Sequence, residues 1–379
     1  TAIGQLEFAD GSGEVTSDSQ KNTVAGTNAG NSFSGTSANN NTLFGYDAGT
    51  GITTGDDNTS VGADSLATNT TGLMNCAFGQ ASLNLNQTGS YNTAYGQGTL
   101  RTLTTGNYNT AVGRNALNLQ QTHQRATAVG VEALANNTQN NCTAVGADAA
   151  LNNTTGYITA VGYQAARNQT TADATTAIGQ AALYSNQTGT YNTAVGVNAL
   201  YSSTSSSGHN TAVGRYANML LTTGNQTTSI GVNAGYGTTT GTYNINVGGS
   251  PSSATANYEI TLGNTGHATL RCNDTSISSL SDRRDKTDIV DLPIGLDFLN
   301  TLKPRQFKWK TRDGNIKDNS IRCGFIAQEL EEAQASYKYL KLVMDENPNK
   351  LEANEGHLIP LLVKAVQELS AKVTALEAS

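Results

Sequence analysis

The chain has 379 residues, a formal net charge of −7 and only 13% Asp, Glu, Lys and Arg. Residues 1–249 hold 6 Lys and Arg with 11 Asp and Glu, whereas residues 250–379 hold 16 and 18. An acidic balance without a basic patch argues against nucleic acid as a partner. Because no apolar run approaches the roughly 20 residues of a transmembrane helix, we expect no membrane insertion.

Four cysteines, Cys76, Cys142, Cys272 and Cys323, stand far apart and form no Cys-x-x-Cys pair. Neither a disulfide framework nor a zinc site is expected, and we predict no metal and no cofactor. This cysteine usage favours assembly in a reducing cytoplasm. The chain begins at Thr1 with neither a methionine nor a signal-like segment, so we expect a fragment or a processed product.

After a connector predicted over residues 1–21, one phrase recurs through residues 22–249, in its clearest form Asn-Thr-Ala-Val-Gly-x-Asn-Ala-Leu. Its glycine returns every 16 to 19 residues, most often every 17. A short period over this length is typical of a solenoid in which each repeat forms one coil. The repeated glycines are Gly26, Gly45, Gly62, Gly79, Gly96, Gly113, Gly130, Gly146, Gly162, Gly179, Gly196, Gly214, Gly231 and Gly248.

The coils are predicted to be β-structured, because they carry glycines and β-branched residues without a period of 3.6. We expect two short strands per coil, Thr-Ala-Val and the later Ala-Leu. The turn glycine would close one side of the coil, and a Thr-Thr-Gly or Gln-Thr-Gly corner, such as the one ending at Gly106, would close the other. Both glycines are expected at positive φ.

Polar residues two positions after the turn glycine recur in constant phase, which predicts a hydrogen-bonded ladder along the solenoid. Each coil offers only a Val, Ile or Phe and a Leu as large apolar groups, so we expect neighbouring chains to complete the core of a trimer. The phrase is similar to the head repeat of trimeric autotransporter adhesins, over about residues 22–249, which implies a β-roll of three chains. The ladder residues are Asn28, Asp47, Asp64, Asn115, Glu132, Asp148, Gln164, Asn198 and Asn233.

Four tyrosines occupy equivalent places, each in the phrase Tyr-Asn before a strand. They form either an exposed ladder that binds glycans, and hence a candidate receptor-binding surface, or a stacked structural ladder, which the regular phase favours. Asp56, Asp57 and Asp173 stand outside the polar ladder. Glycan cleavage needs two nearby carboxyl groups, one with a raised pKa, and we expect no glycan-degrading activity. The tyrosines are Tyr91, Tyr108, Tyr191 and Tyr243.

Residues 250–280 break the period and are predicted to form a β-structured stem. Residues 258–263 and 268–272 alternate in part like the strands of a hairpin, and Gly263 is also placed to close a last, shortened coil. Residues 281–379 have the composition of a globular domain in which short strands and helices alternate, an α+β pattern.

In this domain, Asp291 and Pro293 are predicted to open a helix that runs through Leu302. Strands are expected at residues 305–310, 324–327 and 340–344, a helix at 328–335, and Trp309 in the core. From residue 355 to 379 an a/d seam with spacing 3-4-3-4-3 predicts a coiled coil, with His357 as a helix-start residue. The seam residues are Ile359, Leu362, Val366, Leu369, Val373 and Leu376.

The boundary between repeat and domain reads Ser-Asp-x-Arg-x-Lys, from Ser281 to Lys286. Further motifs follow at residues 295–298, 302–304, 307–309 and 324–329. This ordered series resembles the C-terminal intramolecular chaperone, or auto-processing, domain of bacteriophage tail fibres and tailspikes. The resemblance implies a domain that trimerises, guides folding of the fibre, and then cuts itself off, with Leu280–Ser281 as the scissile bond.

The resemblance also implies that Ser281 is the nucleophile and Lys286 the general base. Lysine accepts a proton only when it is neutral, so we expect burial and the neighbouring Arg283 and Arg284 to favour that form. Five residues place the two side chains on opposite faces of a strand. The segment must therefore turn, or a second chain must complete the site.

These features predict a phage tail-fibre protein, located in the virion and made in the host cytoplasm. Its expected partners are two further copies of itself, other phage tail proteins, and a host surface glycan or receptor; its only activity would be one self-cleavage. The predicted fold is mainly β, a trimeric β-solenoid followed by an α+β domain that ends in a coiled coil. A trimeric cell-surface adhesin, or a glycan- or ice-binding solenoid, with the C-terminal domain retained, stays open as an alternative, although Thr-Ala-Val strands differ from a Thr-x-Thr array.

Overall fold

The structure is a computed structural model that describes residues 15–35, 37–154, 156–204, 208–249, 257–264, 281–308, 321–344 and 351–379. Contacts divide the chain into two units, Thr1–Asn264 and Thr265–Ser379. Among the described residues, no helix combines the length and the apolar character needed to cross a bilayer.

The first unit is a β-solenoid, as predicted, and its described residues form one 16-stranded sheet in chain order. β1 pairs antiparallel with β2, and each later neighbour pairs parallel, for example Thr110 with Thr127. The strands are β1 (Val15–Ser17), β2 (Thr23–Ala25), β3 (Thr42–Phe44), β4 (Thr59–Val61), β5 (Cys76–Phe78), β6 (Thr93–Tyr95), β7 (Thr110–Val112), β8 (Thr127–Val129), β9 (Thr143–Val145), β10 (Ile158–Val161), β11 (Thr175–Ile178), β12 (Thr193–Val195), β13 (Thr211–Val213), β14 (Thr228–Ile230), β15 (Ile245–Val247) and β16 (Ile260–Leu262).

Each coil has one strand, so the prediction of two was wrong. The Ala-Leu segment lies in turns, because Asn115 and Leu117 adopt φ values of 58° and 52°, in the left-handed region that breaks an extended run. Leu117 N–H donates instead to the carbonyl oxygen of Ala133 in the next coil, at 3.0 Å. The turn side of the coil is therefore also hydrogen-bonded from coil to coil.

The two repeated glycines are needed for different reasons. Gly113 follows β7 with φ at 128°, and a Cβ there would overlap the carbonyl oxygen of Gly130 in the next coil. At the opposite corner the prediction of positive φ was wrong. Gly106 lies outside the left-handed range, and a Cβ would overlap the carbonyl oxygen of His123. The corner requires glycine for close approach of two backbones.

The solenoid core closes within one chain. The middle residue of most strands points inward, as Ala94 and Ala111 do, and the turn residues Leu100 and Leu117 pack in the same cluster, all with 0% exposure. The expectation that neighbouring chains complete this core was therefore wrong. The leucines held in the turns reach the coil interior, and they fill the space that the expectation assigned to neighbouring chains.

Buried asparagines just before the strands form the main side-chain ladder. Asn92 donates its side-chain amide to Asn75 Oδ1 at 3.1 Å and to Gly106 O at 2.9 Å, and its backbone N–H to Asn75 Oδ1 at 3.0 Å. Asn109 repeats the pattern on Asn92. The buried members are Asn22, Asn41, Asn58, Asn75, Asn92, Asn109, Asn192, Asn210 and Asn244.

The ladder predicted two residues after the turn glycine is present only in part. All nine of its residues have positive φ, which explains the preference for Asn and Asp there. Two side-chain hydrogen bonds join its members, from Asn28 to Asp47 at 2.8 Å and from Gln164 to Asp148 at 3.3 Å. These positions therefore act mainly through their backbone.

The solenoid extends past residue 250. β16 pairs parallel with β15, with Ile260 opposite Ile245, so residues 258–263 close the shortened last coil rather than forming one arm of a hairpin. Residues 268–272 lie outside the described residues.

The second unit combines short strands and helices around Phe298, Leu330, Leu342 and Leu361. β17 pairs antiparallel with β18, and β19 with β20. The elements are a 3₁₀ turn (Arg283–Asp285), α1 (Leu296–Leu299), β17 (Arg305–Phe307), β18 (Arg322–Gly324), α2 (Ala327–Ala333), a 3₁₀ turn (Lys338–Leu340), β19 (Val343–Met344), β20 (Glu352–Ala353), a 3₁₀ turn (Glu355–His357) and α3 (Leu358–Glu377).

The first helix of this unit differs from the prediction. α1 begins after Gly295, and its first N–H, on Leu296, donates to Glu368 Oε2 of α3 at 2.8 Å. Glu368, rather than Asp291, therefore satisfies the start of the helix. The second predicted strand is shifted to Arg322–Gly324, the other elements are shorter than predicted, and Trp309 lies outside the described residues. The C-terminal helix is confirmed as α3.

Candidate active site

A 3₁₀ turn over Arg283–Asp285 brings Ser281 and Lys286 together. Its backbone bonds run from Asp285 N to Asp282 O and from Lys286 N to Arg283 O, both at 3.2 Å. An extended segment would place the Cα atoms of Ser281 and Lys286 about 17 Å apart. The turn folds the chain back, and Lys286 Nζ donates a hydrogen bond to Ser281 Oγ at 2.5 Å. The turn that the five-residue spacing demands is thus present within one chain.

Asp282 holds the turn at its N-terminal side. Its Oδ1 accepts a hydrogen bond from Arg284 N–H at 2.8 Å, the contact that an N-cap aspartate makes. Its carboxylate also accepts from Arg284 Nε and Nη2, with Nη2 2.6 Å from Oδ2. These hydrogen bonds lower the pKa of Asp282 and raise the pKa of Arg284. Sequence reasoning assigned Asp282 no role, although aspartate is one of the residues preferred at an N-cap.

The pair is exposed. Ser281, Lys286 and every residue between them lie at the surface of the chain. The expectation that burial favours neutral Lys286 is not met by a single chain, and Arg284 binds Asp282 instead of facing Lys286. Among the described residues, therefore, no group supplies the desolvation that a lysine base needs.

A serine hydroxyl hydrogen-bonded to a lysine amine is the arrangement of a nucleophile and its general base. A neutral amine in this position can take the hydroxyl proton directly. Leu280, the predicted residue on the other side of the scissile bond, lies outside the described residues. The assignment of the cut to Leu280–Ser281 therefore stays a prediction.

The candidate tyrosines stack along the solenoid. The ring centroids of Tyr91 and Tyr108 are 5.0 Å apart, with planes 11° apart, and about half of each side chain is exposed. Because each ring covers a face of its neighbour, this geometry favours a structural ladder, and receptor binding there stays a prediction. The other two stack on the next coil, Tyr191 on His209 and Tyr243 on Tyr258.

The remaining carboxylates of the solenoid join neighbouring coils. Asp56 Oδ1 accepts from Asn39 N–H at 2.8 Å, and Asp173 Oδ1 accepts from Tyr157 N–H at 3.0 Å. Asp57 Oδ1 accepts from the Asn40 amide at 3.1 Å. These bonds give each carboxylate a structural role. Across the described residues, no cluster of three or more His, Cys, Asp and Glu side chains is arranged to hold a metal ion.

Helix α3 has two apolar faces. Leu358, Leu361 and Ala365 are buried in the core of the second unit, and His357 Nδ1, just before the helix, lies 2.9 Å from Leu340 O. The adjoining face carries the a/d seam, whose side chains are 45% to 75% exposed. An apolar stripe of this kind is a surface for other helices. The exposed seam residues are Ile359, Leu362, Val366, Leu369, Val373 and Leu376.

The outer face of the solenoid sheet carries a second apolar surface, formed by the last residue of many successive strands. These side chains are 36% to 60% exposed and follow one another along the parallel sheet. Together with the seam of α3, this column gives both units an apolar surface outside their own cores. Its exposed members are Phe44, Tyr95, Val112, Val145, Ile178, Val213, Ile230, Val247 and Leu262.

Comparison with known families gives one match, which begins at the candidate serine. Residues 281–339, which include the Arg283–Asp285 turn, α1, β17, β18 and α2, match the sequence model of the family described as chaperone of endosialidase. No curated protein and no solved structure gives a significant match to the chain. The segment that follows the β-solenoid is thus similar to the chaperone of endosialidase family, and this similarity supports a C-terminal chaperone domain.

Proposed function

We propose that this chain is a homotrimeric phage tail-fibre protein whose C-terminal domain directs folding of the solenoid and then removes itself by one Ser–Lys cut at Leu280–Ser281. The observation that carries the proposal is the hydrogen bond from Lys286 Nζ to Ser281 Oγ, located at the first residues of the segment that matches the chaperone family.

The reaction uses water and no cofactor. Neutral Lys286 takes the proton of Ser281 Oγ, and the oxygen attacks the carbonyl carbon of Leu280. The peptide C–N bond breaks as the Ser281 nitrogen takes that proton from Lys286, which leaves the Leu280 acyl group as an ester on Oγ. Water then adds its OH to the carbonyl carbon and its remaining proton to Oγ. One peptide bond is hydrolysed, and Ser281 becomes a new N-terminus.

Trimer formation gives the reaction its timing. Three copies can pack the exposed seams of α3 against one another and cover the apolar column of the sheet. Coverage of the exposed segment that carries Ser281 and Lys286 by partner chains would supply the desolvation that a neutral lysine needs. Cutting would then follow correct assembly rather than precede it.

Removal of the domain has a kinetic consequence. A solenoid that has lost its folding assistant cannot readily unfold along the route by which it folded, so its persistence is set by the unfolding rate. In the virion, this trimeric solenoid would serve as the shaft or the receptor-binding part of a tail fibre.

Intact mass spectrometry of the purified protein tests the proposal. Wild-type protein is expected to yield one fragment that ends at Leu280 and another that spans residues 281–379, without added protease. Ser281→Ala removes the nucleophile and should give an uncut chain that still trimerises. A wild-type trimer that stays uncut, or a Ser281→Ala chain that is cut at the same bond, would contradict the proposal.

A further inference from the structure

We propose that Asp282 is a positioning residue of the self-cleavage site: it holds the 3₁₀ turn that places Lys286 against Ser281. This inference rests on the proposed function, because it concerns the same reaction. It assigns Asp282 no part in proton transfer.

The first argument is the small number of contacts that keep the turn folded. Residues 281–286 are all exposed, so no packed core holds them. Among the described residues, their side-chain hydrogen bonds are those between Asp282 and Arg284 and the one between Lys286 and Ser281. Apart from the catalytic pair itself, Asp282 therefore supplies the acceptor for every side-chain hydrogen bond of the turn, which add to its two backbone bonds.

The second argument is the geometry of the carboxylate. Oδ1 accepts a hydrogen bond from the Arg284 backbone N–H at 2.8 Å. The Arg284 guanidinium donates hydrogen bonds to both carboxylate oxygens, at distances of 2.6 to 3.1 Å. A guanidinium fork of this kind fixes the plane of a carboxylate. Arg284 thus orients the oxygen that caps the turn, and its hydrogen bonds keep the pKa of Asp282 low, so that the cap stays charged.

The third argument separates positioning from base catalysis. The Asp282 oxygens bind Arg284 rather than Ser281, whereas Lys286 Nζ binds Ser281 Oγ. Loss of Asp282 should therefore leave the nucleophile and the base chemically intact but poorly aligned. Misalignment by about 1 Å can cost about 100-fold in rate, and we expect Asp282→Ala to slow cleavage by about 10- to 100-fold.

The experiment follows cleavage of the full-length chain after synthesis in a cell-free system, quenched at intervals and resolved by denaturing electrophoresis. Asp282→Asn keeps an oxygen that caps a turn as well as aspartate does, and it should retain a rate within about threefold of wild type. Arg284→Ala keeps the backbone N–H that Asp282 caps, so its loss should be smaller than that of Asp282→Ala. Asp285→Ala is the matched control, since it removes the same charge from the same turn at a side chain without a hydrogen bond among the described residues.

Trimer content is measured by native mass spectrometry on the same samples. The expected result is that all variants trimerise, that Asp282→Ala is the slowest and Arg284→Ala lies between it and wild type, and that the pH–rate midpoint of Asp282→Asn equals that of wild type. If Asp282→Ala fails to assemble, the remaining variants test the inference, and their cleavage rates should fall in the order wild type, Asp282→Asn, Arg284→Ala.

Three results overturn the inference. They are a wild-type rate for Asp282→Ala, an Asp282→Asn chain as slow as Asp282→Ala, and a shifted pH midpoint for Asp282→Asn. A wild-type trimer that is not cut at all overturns the proposed function, and the positioning role falls with it. If wild type is cut and Asp282→Ala is cut at the same rate, only the positioning role is overturned.

Discussion

Lys286 Nζ donates a hydrogen bond to Ser281 Oγ at 2.5 Å, across a five-residue segment that would hold the two side chains apart if it were extended. The contact is made by one exposed turn within one chain. It places a base beside a nucleophile, but it does not supply the desolvation that a neutral lysine requires.

The role of Lys286 as a base leads to the first prediction. Lys286→Arg keeps a cationic hydrogen-bond donor that can reach Ser281, but a guanidinium is not deprotonated in proteins. We expect this variant to form trimers and to stay uncut, as measured by intact mass after extended incubation. Lys372→Arg, at an exposed position of α3, is the control and should be cut as wild type is. Cleavage of Lys286→Arg at the wild-type rate would rule out lysine as the base.

The exposed seam of α3 leads to the second prediction. Leu369→Asp places a charge at a d position of the seam and should reduce the trimer to monomers, because a buried charge without a partner is strongly unfavourable. Gln367→Asp introduces the same side chain on the same helix, outside the seam, and should leave the trimer intact. Multi-angle light scattering distinguishes the two states. A trimeric Leu369→Asp protein would show that α3 is not the assembly surface.

The buried asparagine ladder leads to the third prediction. Asn92→Ala leaves Asn75 Oδ1, Gly106 O and the Asn109 amides short of hydrogen bonds inside the solenoid. Unsatisfied buried groups cost about 1–3 kcal/mol each, so we expect a loss of about 2–4 kcal/mol in the free energy of unfolding. Thr93 is the next residue and its side chain is exposed, so Thr93→Ala should change the free energy of unfolding by less than about 0.5 kcal/mol. Guanidinium unfolding of both variants measures the difference, and equal effects would refute the ladder as a source of stability.

The turn glycines lead to the fourth prediction, in which two glycines with positive φ are compared. Gly113→Ala adds a Cβ that overlaps the carbonyl oxygen of Gly130, whereas Gly35→Ala meets no atom within 4 Å. Both pay the cost of an unusual φ, of about 1–2 kcal/mol. Because of the steric conflict, Gly113→Ala should destabilise the chain by about 1–3 kcal/mol more than Gly35→Ala does. Thermal unfolding monitored by circular dichroism tests the order, and similar melting temperatures would show that the coils can move apart.

The ion pair at the turn leads to the fifth prediction. Hydrogen bonds from Arg284 lower the pKa of Asp282 in the folded chain. A carboxyl whose folded pKa is depressed contributes stability above its unfolded pKa and loses it as the pH falls through the folded pKa. The turn should therefore persist below about pH 3.9, the ordinary aspartate value, and open only at lower pH. An NMR titration of the Asp282 carboxyl carbon measures the midpoint, and Arg284→Ala should raise it towards the ordinary aspartate value without reaching it, because the backbone N–H of residue 284 still donates to Oδ1. A wild-type midpoint at or above that value would exclude the pairing.

Much of the solenoid follows from the sequence alone. The period of about 17 residues, the β structure of Thr-Ala-Val and the need for Gly113 are all local or repeated properties, and identical coils can stack only if each repeats the same backbone path. The spacing of the C-terminal seam likewise predicts α3, because a helical period is visible in one continuous segment. The motif from Ser281 to Lys286 identifies the two side chains of the candidate site.

Tertiary structure decides what that pattern leaves open. Leu117 reaches the core from a turn rather than from a second strand, because its own N–H bonds to the next coil while its φ is positive. Glu368 accepts the first N–H of α1 although it lies 72 residues away in the chain, and no local sequence signal encodes that contact. The distance between Ser281 and Lys286 likewise depends on a turn held by Asp282, since residue spacing fixes how far apart two side chains lie only when the backbone conformation between them is known.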